Sequence, residues 1–142
     1  MIEILPRLYL ASYNQARISA LPFFVVNCTS DFPMVRHEGV RIAVDDDGNA
    51  DSMQIMLEGI LKVLPIMHQN ITNGNNVAVH CLAGQQRSPA VVCAYLMWKG
   101  GHSLESAIRF IREKRREAFF WSVNFREPLE AFATKLRNND FP

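Results

Sequence analysis

With 142 residues, 49% of them hydrophobic and 20% charged, the chain has a globular composition and the length of one ordinary domain, residues 1–142, rather than two. Lys and Arg total 15 against 14 Asp and Glu, a formal charge of +1. A role resting on bulk charge, such as coating nucleic acid or an anionic membrane, finds no support in that balance. Cys28, Cys81 and Cys93 are an odd count with no C-x-x-C pair, which argues for free thiols in a reducing compartment.

The opening Met1-Ile2-Glu3-Ile4 lacks the basic and apolar regions of a signal peptide. The longest apolar run, Ala90–Trp98, falls far below the roughly 18 residues of a membrane span. The expectation is an intracellular protein of the cytoplasm, with the nucleus left open.

Ile4-Leu5 and Leu8-Tyr9-Leu10, separated by Pro6, read as short edge strands, where Pro is tolerated. Phe23–Val26 is a compact aromatic and β-branched run, a buried strand. Val40–Val44 reads as another strand, ending in the loop chemistry of Asp45-Asp46-Asp47-Gly48-Asn49. Met53, Met56, Leu57, Ile60, Leu61, Leu64 and Met67 recur at helical spacing, predicting an amphipathic helix from Ser52 to about Met67, with Pro65 a kink or an early end.

A turn over Asn70–Asn76 leads to Val77-Ala78-Val79, a short buried strand, then a Gly-containing loop and a helix from about Pro89 to Lys99. Gly100-Gly101 ends it. Ser103 caps a helix from Leu104 to about Arg116, and a last helix spans Glu127 to about Leu136. Strands, a helix, a strand and then helices predict an α/β fold: a mixed, mostly parallel central sheet flanked by helices, its last buried strand feeding the functional loop.

That loop is His80-Cys81-Leu82-Ala83-Gly84-Gln85-Gln86-Arg87-Ser88. A tight strand-to-helix loop turns its backbone N–H groups inward around one tetrahedral oxyanion, and the following helix adds its positive end. Gly84 permits the turn, and Arg87 offers a planar fork for two phosphate oxygens. Thiols in such surroundings have pKa values of roughly 3.5–7.5, so Cys81 is expected as a thiolate nucleophile. Ser88 is placed to donate a hydrogen bond to the sulfur when it leaves. His80 is expected to hold the loop and tune the thiolate rather than act as the base.

His80-Cys81-x-x-Gly84-x-x-Arg87-Ser88 resembles the signature of the dual-specificity branch of the cysteine-based protein phosphatases at all five fixed positions. A chance match in a chain this long has odds of about one in 10⁵, so the signal is strong. The resemblance extends over nearly the whole chain, through Glu3–Leu10, Phe24–Asn27, Ala94–Met97, Ser103-Leu104-x-x-Ala107 and Asn124-Phe125. Ala11, Val123, the apolar Ala118–Trp121 and the loop residues Gln85 and Gln86 depart from the family's usual residues; none touches the chemistry, and an unusual pocket rim is the expectation.

The resemblance implies a protein-tyrosine-phosphatase-like fold and a stand-alone dual-specificity protein phosphatase. Such an enzyme acts without a metal or cofactor on phosphotyrosine and on phosphoserine or phosphothreonine in protein partners. Residues 82–87 would bind the phosphate. Asn124 would brace the active-site loops, or would simply cap a turn. A general acid would come from Asp45-Asp46-Asp47; aligning Ile42-Ala43-Val44 with the family's strand puts it on Asp46, with Asp45 and Asp47 as alternatives.

Two other readings stay open: a phosphoinositide or RNA 5′-phosphate phosphatase on the same fold, and a non-catalytic phosphoprotein-binding module. Uncharged Leu82, Ala83, Gln85 and Gln86 speak against the first, and the presence of Cys81, Arg87 and an Asp against the second.

Weaker features carry paired readings. Arg109, Arg112, Lys114, Arg115 and Arg116 are a solvated helix face or a guide for an acidic partner. Phe119, Phe120, Trp121 and Phe125 are a satellite core or an exposed recognition surface. Cys28 is a buried free thiol or a partner that traps an oxidised Cys81. His37, His68, His80 and His102 have no ligand spacing, so no metal is expected.

Overall fold

The computed structural model describes residues 1–142. Five strands form one sheet in the order β1-β2-β5-β3-β4: β1 (Ile2–Leu5), β2 (Leu8–Ala11), β3 (Phe24–Asn27), β4 (Gly39–Arg41) and β5 (Val77–His80). Only the β1–β2 pair is antiparallel; β2–β5, β5–β3 and β3–β4 are parallel. The sheet is therefore mixed and mostly parallel, with β5 in the middle.

β5 is buried along its whole length, as a central parallel strand must be. Its residues divide by the two-residue period of a strand. Val77 and Val79 join Leu8, Leu10 and Val26 in the main core, while Ala78 joins Val25, Ala11, Ala16 and Phe23 on the other face.

The large core is closed by α2 (Ala50–Thr72), α3 (Arg87–Lys99), α4 (Leu104–Lys114) and α5 (Arg126–Arg137). The second face is covered by α1 (Tyr13–Ile18). That helix escapes hydropathy patterning because it is a turn and a half long and buries only Ala16. Its local signal is the capping box Ser12-x-x-Gln15: Gln15 N–H donates to Ser12 Oγ at 3.2 Å, and Ser12 N–H to Gln15 Oε1 at 2.9 Å.

Several expectations are corrected. The edge is β1, not β2: Leu8–Ala11 lies between β1 and β5, and Pro6 sits in the turn joining β1 to β2. β4 ends at Arg41 rather than Val44, because Val44 N–H bonds back to Ile42 O at 2.9 Å and leaves the ladder.

α2 continues through Pro65 to Thr72. Pro65 lies on the exposed side, so the carbonyl of Leu61 that loses its helical partner is near water rather than stranded in the core. α3 begins at Arg87, which puts Pro89 third in the helix, where the N–H has no intrahelical acceptor anyway. α4 stops at Lys114, because Arg115 is extended (φ −137°, ψ 99°). Ser103 caps α4 as expected, accepting from Ser106 N–H at 3.2 Å.

Ala11, His80 and Asn27 are neighbours in register at the ends of β2, β5 and β3. In open α/β sheets, ligands bind outside the carboxyl ends of the strands, and Cys81 is the first residue beyond β5.

Candidate active site

The segment from Cys81 to Gln86 is held almost entirely through its carbonyls. Cys81 O accepts from His80 Nδ1 at 3.0 Å. Leu82 O accepts from Tyr13 N–H at 3.0 Å. Ala83 O and Gly84 O accept from Arg115 Nη2 at 2.9 Å and Nε at 3.0 Å. Gln85 O accepts from Phe119 N–H at 2.9 Å, and Gln86 O from Ala90 N–H at 3.0 Å.

Every carbonyl of the loop is thus drawn outward. All peptide bonds are trans, so the N–H groups turn the opposite way. The N–H groups of Leu82, Ala83, Gln85 and Gln86 have no protein partner, while Gly84 N–H donates to Cys81 Sγ at 3.3 Å. Unpaired donors converging ahead of a helix N-terminus form an anion cradle.

Gly84 is needed twice over. Its φ is +70°, and a Cβ would sit 2.8 Å from Arg115 Nη2 and 2.9 Å from Ala11 O.

Cys81 is 3% exposed. Burial alone would push its thiol up. The Ser88 hydroxyl at 3.2 Å, the N–H groups of Ser88 and Gly84 and the charge of Arg87 outweigh that and bring it below its ordinary value. Cys28 and Cys93 lack such donors and move the other way: burial raises Cys28 well above the usual thiol range and Cys93 to about 12. Cys28 follows β3, its N–H bonded to His80 O at 2.8 Å, and the proximity of Cys81 adds to its upward shift.

His80 is fully buried. Burial lowers its pKa, the bond to Cys81 O opposes that, and the charges of Arg41 and Arg87 reinforce it. The imidazole is neutral at pH 7, with its proton on Nδ1, since a carbonyl can only accept. Nε2 is left with no partner.

Arg87 Nη1 donates to Val44 O at 3.1 Å, which ties the loop to the segment carrying the three aspartates. Those aspartates have different surroundings. Asp45 Oδ1 accepts from Ser30 Oγ at 2.6 Å. Asp47 accepts from Asn49 N–H at 2.9 Å; this bond, with those from Ser52 and the Asn49 side chain, lowers its pKa. Asp46 accepts from Asn124 Nδ2 at 3.0 and 3.1 Å. Asn124 is itself placed by its N–H on Gln86 Oε1 at 2.9 Å, while Gln86 Nε2 holds Ser122 O at 2.7 Å. Cys81, Arg87, Ser88, His80, Asp46 and Asn124 are therefore joined in one network through the loop.

The aromatic segment divides. Phe119 and Phe125 are buried, while Phe120 and Trp121 are 54% and 91% exposed. The exposed pair lines a hollow of about 420 Å³ beside the loop, with Gln85, Gln86, Arg116 and Glu117. Arg115 is not on the solvated face with its neighbours. It is half-buried against the loop, and nothing in the basic run distinguishes it by residue type. Tyr13 and Gln15 were likewise not legible as site neighbours, although the capping box would have revealed their helix. No group of three His, Cys, Asp or Glu side chains is placed to hold a metal ion.

The fold thus places Cys81, followed by unpaired N–H donors, at the carboxyl end of the central strand. Residues 8–135 match the family described as "Dual specificity phosphatase, catalytic domain". The chain belongs to that family, whose members are phosphoric monoester hydrolases acting on phosphorylated substrates.

It is 36% identical over 101 residues to the 123R protein of Invertebrate iridescent virus 6, named after the tyrosine phosphatases, covering 71% of this chain and 68% of that one. It is 34% identical over 122 residues to human dual specificity protein phosphatase 4, covering 80% of this chain and 30% of the human protein. The chain thus matches less than a third of that relative's length. The crystal structure of human DUSP28 superposes with a TM-score of 0.86 at 24% identity, over 98% of this chain and 99% of that one, which establishes the shared fold. No helix is long and apolar enough to cross a membrane.

Proposed function

We propose that residues 1–142 form a single catalytic domain. It hydrolyses phosphotyrosine, and phosphoserine or phosphothreonine, in protein substrates through a cysteinyl-phosphate intermediate, with no metal or cofactor. The observation that carries this reading is the cradle itself: unpaired N–H donors around a sulfur held below its ordinary pKa.

In the first step the Cys81 thiolate attacks phosphorus in line. An S–P bond forms as the P–O bond to the leaving group breaks, and Asp46 passes its proton to the departing oxygen. The cradle N–H groups and the Arg87 guanidinium stabilise the equatorial oxygens. In the second step water attacks phosphorus and gives its proton to the ionised Asp46. The S–P bond breaks and the thiolate returns to the hydrogen bonds of Ser88 and Gly84. His80 stays neutral and fixes the carbonyl of Cys81.

Arg87 is the one charge between Cys81 and Ser88, which fits a single phosphomonoester better than a highly anionic inositide or RNA end. The exposed Phe120 and Trp121 beside the loop give an apolar surface for residues flanking a phosphorylated side chain.

The test is hydrolysis of p-nitrophenyl phosphate and of phosphopeptides in excess EDTA, wild type beside Cys81→Ser. Turnover by wild type alone is expected. Activity retained by Cys81→Ser overturns the nucleophile. A folded wild type that binds phosphopeptide without turnover favours a binding module, and faster turnover of phosphoinositides than of phosphopeptides favours the lipid reading.

A further inference from the structure

Arg115 makes no ion pair; the ion pairs of the chain are those of Arg126 with Glu105 and Glu130. Its guanidinium is instead partnered by three oxygens: Ala83 O, Gly84 O and, through Nη1 at 3.1 Å, Gln15 Oε1. Gln15 Oε1 also accepts from Ser12 N–H in the cap of α1, so the guanidinium is braced from behind by a fixed acceptor.

The two loop carbonyls belong to informative peptide groups. The group whose oxygen takes Arg115 Nη2 is the one whose nitrogen, Gly84 N, donates to Cys81 Sγ at 3.3 Å. The group whose oxygen takes Arg115 Nε carries Gln85 N–H, one of the unpaired cradle donors. A cation on the carbonyl side of a peptide polarises its N–H, and linked hydrogen bonds strengthen one another.

The local chain is shaped to deliver this contact. α4 ends one residue earlier, so Arg115 leaves the helix extended and turns to the loop, while Arg112 and Arg116 remain exposed. Phe119 follows in the left-handed region at φ 55°, unusual for a bulky residue, and its N–H takes the next loop carbonyl, Gln85 O.

We propose that Arg115 is a positioning residue. Acting through the Ala83–Gly84 and Gly84–Gln85 peptide groups, it holds and polarises the N–H donors that serve the Cys81 sulfur and the substrate phosphoryl group. The inference rests on the reading of Cys81 as the nucleophile and adds the outer support that keeps the cradle formed before substrate arrives.

The test compares Arg115→Met, Arg115→Lys and, from the same basic run, Arg112→Met with wild type. The readouts are the pH midpoint of Cys81 alkylation by iodoacetamide, followed by peptide mass mapping, and the inorganic phosphate concentration that protects against it. Arg115→Met is expected to move the midpoint up by about half a unit or more and to raise the protecting phosphate concentration about tenfold. Arg115→Lys, able to reach one carbonyl rather than two, falls between, and Arg112→Met, at an exposed arginine away from the loop, matches wild type.

A folded Arg115→Met with the wild-type midpoint and wild-type protection overturns the proposal. Should Arg115→Met fail to fold, unchanged readouts in Arg115→Lys overturn it equally. Neither readout needs turnover, so a wild type without phosphatase activity would refute the hydrolase reading separately.

Discussion

Asp46→Asn is the substitution that separates the three adjacent aspartates. It keeps the size of the side chain and one acceptor oxygen for Asn124 Nδ2, and removes the ionisable carboxyl that gives and takes the proton. General acid catalysis contributes roughly 10²–10⁴-fold, or about 2.7–5.4 kcal/mol of barrier. The loss should scale with the basicity of the leaving oxygen. A tyrosine phenol, with a pKa near 10, requires the proton, and an aliphatic alcohol more so, whereas a strongly acidic phenol leaves without it.

The assay is kcat/KM on a phosphotyrosine peptide and on a series of aryl phosphates of decreasing leaving-group pKa. Asp46→Asn should lose about 10²-fold or more on the peptide and little on the most acidic phenol. Asn124→Ala, which frees Asp46 without removing its proton, should cost about threefold to tenfold on the peptide. Asp45→Asn and Asp47→Asn should keep most of the activity, because their carboxylates serve Ser30 and the start of α2. A larger loss in Asp45→Asn than in Asp46→Asn, or a loss in Asp46→Asn independent of the leaving group, would refute the assignment.

Iodoacetamide at neutral pH should modify Cys81 and leave Cys28 and Cys93 untouched, since burial raises both of those thiols, Cys93 to about 12; mass mapping that finds label on either in the folded protein contradicts this. Gly84→Ala should lower stability by about 1–3 kcal/mol, from its φ of +70° and a Cβ 2.8 Å from Arg115 Nη2, and should abolish most of the activity even well below the new melting temperature. Stability should also fall with acid. His80 has its folded pKa depressed below 6.5 by burial, so its contribution is full above about 6.5 and is lost as pH drops through the folded value. His80→Asn, which keeps a donor for Cys81 O, should flatten that part of the urea-midpoint profile between pH 7 and 5; an unchanged slope would place the acid sensitivity elsewhere.

The elements that were legible in the sequence are those whose signal is local. β3 and β5 are short β-branched runs, α2 repeats apolar residues over many turns, and Ser103 marks the start of α4. What was misjudged depends on neighbours. Leu8–Ala11 carries nothing that says whether one strand or two will flank it, and its interior place follows from the parallel pairing of β5 on its far side. Pro65 reads as a break until the exposed side of α2 is known, because only there can the released carbonyl be hydrated at small cost.

The candidate site divides along the same line. Nucleophile, glycine, arginine and serine must lie within one short loop to surround one phosphoryl group, so the sequence displays them together. The groups that give the loop its shape come from far along the chain: Tyr13 and Gln15 from α1, Arg115 and Phe119 from the segment that follows α4. Asp46 differs from its two neighbours only in its partner, and that partner is Asn124, 78 residues away. An arginine that looks like one member of a solvated run, and an asparagine in an aromatic stretch, acquire their meaning only when α4 ends and the chain doubles back across the loop. The cradle is therefore as much a product of residues 115–124 as of the signature itself. Substitutions in that stretch should alter thiolate formation and proton transfer without touching any residue of the signature.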